Sequence, residues 1–398
     1  MQKPTSSYSC ASTLNSCHTD SINVLTFSPC GKYLASGADD GVVYIYNPRQ
    51  GAKFMKVVAH HAVTTLAWHP TGNGRLFVGR EDGQVVFLDI HDSGLSGSYK
   101  LPIASDKSES EPAVRALTLD YSGTHLAVAK GRAVVLLQSN GCHDQRVPFV
   151  ERQIILSPPA VEGLLDEIPL PHSVQFLTYD GDVLLLVSYL CHGIICVGPA
   201  QAREAVRWHL VPPSYRMGRP TVSPDQTLLV VFNCLDGFDI YSMGSKVEMP
   251  QLRNTFRLQV SKNILLPAIF INNGKSILLG SANGSVCVAS ITNTASRREL
   301  PHGRGDIIQA LAYHQIGSVH YVATGTSEKG VDTYIKIWKA GLPSHEVRLR
   351  RLQLDPLCKY ISTTVVIALI ATLFVCADDL KPYIVICVDA YCSMVLNL

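Results

Sequence analysis

The chain has 398 residues and a net charge of +2, with 17% charged and 46% apolar residues. An ordinary soluble domain carries about 25% charged residues, and this balance excludes a disordered, collagen-like or coiled-coil chain. It also removes any global electrostatic ground for expecting nucleic acid or strongly acidic partners. The length suits two ordinary domains or one large all-β domain.

Residues 1–17 contain no apolar run long enough for the core of a secretory signal, so the chain is expected on the cytosolic side. The 12 cysteines form no CxxC pair and have no matching histidine spacing. They are expected to be reduced thiols, with no zinc site and no other cofactor.

Internal repetition is visible from His18 onward. The stretch Ser21–Asn47 reads SINVLTFSPCGKYLASGADDGVVYIYN. It holds an alternating run, a Pro-Cys-Gly turn, a second run, an Asp-Asp-Gly turn and a third run. Period-2 alternation broken by glycine turns marks hairpin-linked strands. Residues 63–90, VTTLAWHPTGNGRLFVGREDGQVVFLDI, repeat the pattern.

Further along the chain the pattern decays, but its punctuation persists. A first turn recurs at Gly31, Gly72, Gly123, Gly181, Asp225, Gly274 and Gly317. A second recurs at Gly41, Gly83, Gly131, Gly193, Gly237, Gly284 and Gly330, with intervals of 42, 48, 62, 44, 47 and 46. Seven units of this period predict a seven-bladed β-propeller with four-stranded antiparallel blades. The interval of 62 predicts an insertion in the unit around 142–200.

These residues resemble the WD-repeat β-propellers. In unit one the match is carried by His18, Ser28-Pro29-Cys30-Gly31, Ser36-Gly37, Asp39-Asp40-Gly41 and Tyr46-Asn47. In unit seven it is carried by His302, Thr324-Gly325 and Asp332 to Trp338, with Lys339 where the family has aspartate. The resemblance implies a hydrogen-bonded set across a blade, from His18, Ser36, Asp40 and Tyr46 in one unit and His302, Thr324, Asp332 and Trp338 in another. It implies a structural role for these residues, because buried polar groups are tolerable only when they satisfy one another. Units four to six lack the set and are expected to rely on apolar packing through VLLLVSY, TLLVVFN and SILLGSA. The resemblance further implies that a strand near Tyr8 to Leu14 completes the last blade, which removes an exposed sheet edge.

Two connections read as long loops: 91–112, with Ser105, Ser108 and Ser110 as candidate phosphorylation sites, and 142–170. A third stretch, 200–220, carries Arg203, Arg207, Arg216 and Arg219, which read as a local basic patch or, more commonly, as scattered surface charges. No nucleophile elbow, HExxH or phosphate loop is present, so no catalytic residue is assigned and the chain is read as a non-enzyme. Arg297-Arg298 departs at both flanks from the motif of phosphoinositide-binding propellers, and that function is not carried over.

The propeller is read as residues 1–340, followed by a basic linker at 341–360 and an uncharged stretch at 361–377, with a short tail at 378–398. Seventeen residues at 1.5 Å each reach about 25 Å, the short limit for a membrane-spanning helix. Basic residues before it and Asp378-Asp379 after it fit an anchor holding the propeller in the cytosol. The alternatives are a β-rich or helical extension packed on the propeller, a disordered tail, or an altered carboxy-terminal segment with no selected role. The chain is thus expected to be a non-catalytic scaffold binding other proteins, with two rivals. One is a membrane-anchored exchange factor for a small GTPase, the other a ubiquitin-ligase substrate receptor.

Overall fold

The computed structural model of the chain describes residues 8–341 apart from 16, 73, 104–112, 141–148, 156–157, 160, 162–167, 180, 199–205, 212–215, 245–247, 259–263, 294–295 and 328–332. Among the described residues, twenty-eight strands make seven four-stranded antiparallel sheets. β1 (Ser9–Asn15) comes first in sequence but belongs to the last sheet. Blade 1 holds β2 (Ile22–Phe27), β3 (Leu34–Ala38), β4 (Val42–Asn47) and β5 (Ala52–Val58). Blade 2 holds β6 (Val63–Trp68), β7 (Arg75–Arg80), β8 (Val85–His91) and β9 (Gly94–Leu101). Blade 3 holds β10 (Val114–Leu119), β11 (His125–Lys130), β12 (Ala133–Ser139) and β13 (Phe149–Ile155). Blade 4 holds β14 (Pro171–Tyr179), β15 (Asp182–Tyr189), β16 (Gly193–Val197) and β17 (Val206–Leu210). Blade 5 holds β18 (Thr221–Val222), β19 (Leu228–Phe232), β20 (Gly237–Ser242) and β21 (Gln251–Arg257). Blade 6 holds β22 (Ala268–Ile271), β23 (Ser276–Leu279), β24 (Ser285–Ser290) and β25 (Arg297–Pro301). Blade 7 holds β26 (Ile308–Ile316), β27 (Val319–Thr326) and β28 (Tyr334–Gly341), with β1 as its outer strand.

The ring closes as expected from the sequence. β1 pairs antiparallel with β28 from Ser9–Lys339 to Asn15–Tyr334. Tyr8 and Leu14, at the ends of this segment, are both buried. The edge of β28 is therefore covered rather than left as a template for aggregation.

Cohesion lies between blades as much as within them. Seven apolar clusters each bridge two neighbouring blades. Leu25 and Tyr44 of blade 1 meet Ala323 and Ile337 of blade 7, for example, and Val322 and Trp338 of blade 7 meet Leu278 and Val286 of blade 6. Inner strands such as β19 and β23 are buried along their whole length, which explains their unbroken apolar runs. Gly325 shows how close this packing is, since a Cβ there would lie 3.0 Å from Ile22 Cγ2 and 3.3 Å from Leu25 Cδ1 across the closing junction.

Every turn glycine of the two series that falls among the described residues has positive φ; at Gly41 it is +70°, a value other residues reach only at a cost. In the fifth unit the strained position is Gln226 rather than Asp225. Gly330 lies outside the described residues.

The two long loops require correction, because each contains an outer strand, β9 inside 91–112 and β13 inside 142–170; the arginine-bearing stretch 200–220 likewise contains the outer strand β17. Outer strands lie on the rim, so their alternation is diluted by polar residues, as in GLSGSYKL of β9. The long interval falls between β13 and β14, where most residues lie outside the described ones, as do Ser105, Ser108 and Ser110. Residues 342–398, with the linker, the apolar stretch and the tail, also lie outside them. Among the described residues, no helix is long and apolar enough to cross a membrane.

Candidate functional site

In blade 1 the structure brings His18, Ser36 and Asp40 together. His18 Nδ1 lies 3.1 Å from both Asp40 carboxylate oxygens, and Nε2 lies 2.7 Å from Ser36 Oγ. An ionised carboxylate only accepts, so Nδ1 carries the proton and Nε2 accepts from the Ser36 hydroxyl. Burial works against the Asp40 charge, but His18 and the Thr19 and Val42 amides outweigh it and hold its pKa below the usual carboxylate value. Tyr46 is buried beside this set, its hydroxyl near the Ser36 and Cys17 side chains but without a well-formed hydrogen bond. Burial pushes its pKa far up.

In blade 7 the centre is Thr324, whose Oγ1 lies 2.6 Å from His302 Nε2 and 2.9 Å from Trp338 Nε1. Asp332 lies outside the described residues. Blade 2 substitutes other chemistry at this place. Arg80 pairs with Asp82, and His61 Nε2 stands 3.7 Å from the same carboxylate. Blade 5 lacks the His-Ser-Asp-aromatic set but does not rely on apolar packing alone. Asn233 Nδ2 donates to Asp239 Oδ1 at 3.1 Å, and Thr255 Oγ1 donates to the same oxygen at 2.8 Å.

Among the described residues, none of these sets lines either of two cavities in the ring, of about 530 and 600 Å³. The residues that do were not marked by the repeat motif. In blades 1, 2, 3, 4 and 7 the first strand has a register shift near its start, skipping Asn23, Thr64, Arg115, His172 and Gln309 respectively. A β-bulge re-aims a side chain out of the sheet. All five line one cavity of about 530 Å³ at the mouth of the central channel. Asp39 and Glu81 from second-to-third-strand turns, Arg219 before β18 and the 264–267 segment before β22 complete the wall. All seven blades therefore contribute, and the volume lies within the usual range for ligand sites.

The wall is uneven in charge and in saturation. On the blade 7–1–2 side the donors are used up. Gln309 Nε2 donates to Ile22 O and Asn23 Oδ1, both at 3.3 Å, and Asn23 Nδ2 donates to Asp39 Oδ1 at 2.6 Å and Val63 O at 3.0 Å. Thr64 Oγ1 reaches the Gly79 and Val114 carbonyls. On the blade 3–4–5 side, Arg115 Nη1 and Arg219 Nη2 make only long bonds, each 3.4 Å, to the Gly131 and Arg115 carbonyls. Among the described residues, neither arginine has a carboxylate partner. His172 between them is 7% exposed, and its ring nitrogens make no well-formed hydrogen bond, with the Gly218 and Ser188 backbones near them. Burial, then the Arg219 and Arg115 charges, push its pKa down to about 4.

A second cavity of about 600 Å³ lies at the opposite end of the strands, between blades 1 and 2, lined by Tyr33, Trp68, Lys32 and Asp92 among others. Its charges already satisfy one another, with Lys32 and the Tyr33 hydroxyl both on Asp92. Among the described residues, no group of three metal-ligating side chains is close enough to hold a metal ion.

The channel residues left a faint trace in the sequence: a polar residue directly after the first apolar residue of a unit, as in Ile22-Asn23, Val63-Thr64, Val114-Arg115 and Ile308-Gln309. The scattered reading of 200–220 missed Arg219, because only the ring carries it inward.

Comparison with known proteins fits this architecture. The family model "WD domain, G-beta repeat" matches residues 8–47 and 52–89. The WD repeat and HMG-box DNA-binding protein 1 of Mus musculus is 33% identical over 93 residues, 22% of this chain and 8% of that protein. The pre-rRNA-processing protein IPI3 of Meyerozyma guilliermondii is 33% identical over 113 residues, 25% of each chain. The chain thus spans a quarter or less of the length of these relatives. In the crystal structure of the Cps50 (Swd1) β-propeller domain of Myceliophteria thermophila, the fold superposes with a TM-score of 0.64 at 17% identity, covering 83% of this chain and 99% of that one. Residues 8–47 and 52–89 thus match WD repeats, and the seven four-stranded blades closed by β1 make the fold a seven-bladed β-propeller, which together support a place among the WD-repeat β-propellers.

Proposed function

We propose that the protein is a non-catalytic scaffold that binds other proteins at the mouth of its central channel. The observation that carries this is the cavity itself, to which all seven blades contribute and into which five bulged side chains turn. A rigid ring presenting polar side chains from separate strands suits recognition of a segment of another chain. The absence of catalytic motifs in the sequence supports a non-enzymatic role, and the near-neutral charge supports protein rather than nucleic-acid partners. A tether through 361–377 rests on that stretch's lack of charge and its flanking residues.

The test is site-specific photo-crosslinking in cells. A photoreactive residue at Leu265, 38% exposed on the mouth, is expected to capture discrete partners, and one at Leu252, 58% exposed on the outer strand β21, is not. Equal capture at both, or none at Leu265, overturns the reading.

A further inference from the structure

We infer that the channel mouth takes a carboxylate side chain of a partner protein between Arg115 and Arg219, with His172 as a third donor. The inference deepens the scaffold reading and rests on it.

The inference begins with saturation. Around blades 7, 1 and 2, the bulged side chains spend their donors on the neighbouring blade, from Gln309 to Ile22 O, Asn23 to Val63 O and Thr64 to Val114 O. That sequence of contacts stops at Arg115. From there to Arg219 the wall holds two guanidiniums with no carboxylate partner among the described residues. It also holds a histidine that is nine-tenths buried and whose ring nitrogens make no well-formed hydrogen bond, with the Gly218 and Ser188 backbones near them. Buried polar groups normally have good partners, so an imidazole this poorly paired beside a cavity marks a place where a ligand supplies one. The Arg219 and Arg115 charges disfavour protonation of His172. A negative group entering between the arginines relieves that effect through charge-assisted hydrogen bonds.

The opposite wall narrows the class. Asp39 and Glu81 line the same 530 Å³ cavity, so a polyanion would meet like charge across the channel. One planar carboxylate matches the guanidinium fork without that penalty. Beside the arginines, Ile264, Leu265 and Pro267 form an apolar ledge, with Leu265 and the partly buried Ile264 open to an apolar neighbour on the same segment. An acidic residue flanked by an aliphatic one is therefore the expected ligand.

The experiment immobilises the full chain and measures retention of acetylated, amidated pentapeptide pools with the central residue fixed as Glu, Gln, Lys or phosphoserine. The Glu pool is expected to be retained about tenfold over the Gln pool, the gain of one charge-assisted pair. Arg115→Gln and Arg219→Gln, each checked for an unchanged melting curve, are expected to abolish that preference. Equal retention of Glu and Gln pools overturns the inference without any variant having to fold. So does a phosphoserine pool retained at or above the Glu pool, which would make phosphate the ligand. Partner capture at Leu265 alongside no Glu preference would refute the carboxylate and leave the scaffold reading standing, whereas no capture refutes the scaffold itself.

Discussion

Thr324→Val tests the polar centre of blade 7 with almost no change in shape. Thr324 is fully buried, and its Oγ1 serves Trp338 Nε1 at 2.9 Å and His302 Nε2 at 2.6 Å. Its 3.4 Å contact to the Lys336 carbonyl is too long to count for much. Valine leaves the indole N–H of Trp338, 3% exposed, without a partner, at a cost of about 1–3 kcal/mol. It also strips the ring of His302, whose Nδ1 already has no partner among the described residues. His302 is only half-buried, so water compensates part of that loss. The added methyl returns about 1 kcal/mol. The net expectation is a destabilisation of about 2 kcal/mol, read as a lower urea midpoint by circular dichroism. A cycle with Trp338→Phe isolates the interaction. If Thr324 holds the indole, the double variant is less destabilised than the two single changes added together, by about 1 kcal/mol. Additivity within about 0.5 kcal/mol would refute the reasoning.

Three further expectations follow from the geometry. Deleting residues 1–15 removes β1 and uncovers β28 beside buried Trp338, so the ring should unfold at markedly lower urea or aggregate, and an unchanged midpoint would contradict closure by β1. Gly325→Ala places a Cβ 3.0 Å from Ile22 Cγ2 at the junction of blades 7 and 1 and should cost about 1–3 kcal/mol, where a neutral result would show that the junction yields. His172 has a folded pKa of about 4 against an ordinary 6.5. Between those values the unfolded state binds more protons, so stability rises with pH across that window and falls as pH drops through it. At pH 5 the loss attributable to this group is about 2 kcal/mol, and His172→Gln should flatten the pH dependence relative to the parent chain. Parallel pH curves for the two would contradict the assignment.

Alternation and turn chemistry act over a few residues, which is why the strands of Ser21–Asn47 and the glycine series were legible without a structure. Seven units of blade-like period imply a ring, and the His18–Ser36–Asp40 contacts lie within the span of a single unit. The outer strands were harder to read. β9, β13 and β17 lie on the rim, where half-exposed positions tolerate polar residues, so the first two read as parts of loops and β17 is hidden among the arginines of 200–220. The polar knot of Asn233, Asp239 and Thr255 was invisible because it builds the same kind of support from other residue types. The channel mouth was decided by tertiary structure alone. Arg115, His172 and Arg219 are far apart in sequence and carry no shared motif; each is brought to one cavity by a bulge or a loop on a different blade. Local sequence sets where strands turn, but only ring closure sets which side chains from different blades face one another across the channel.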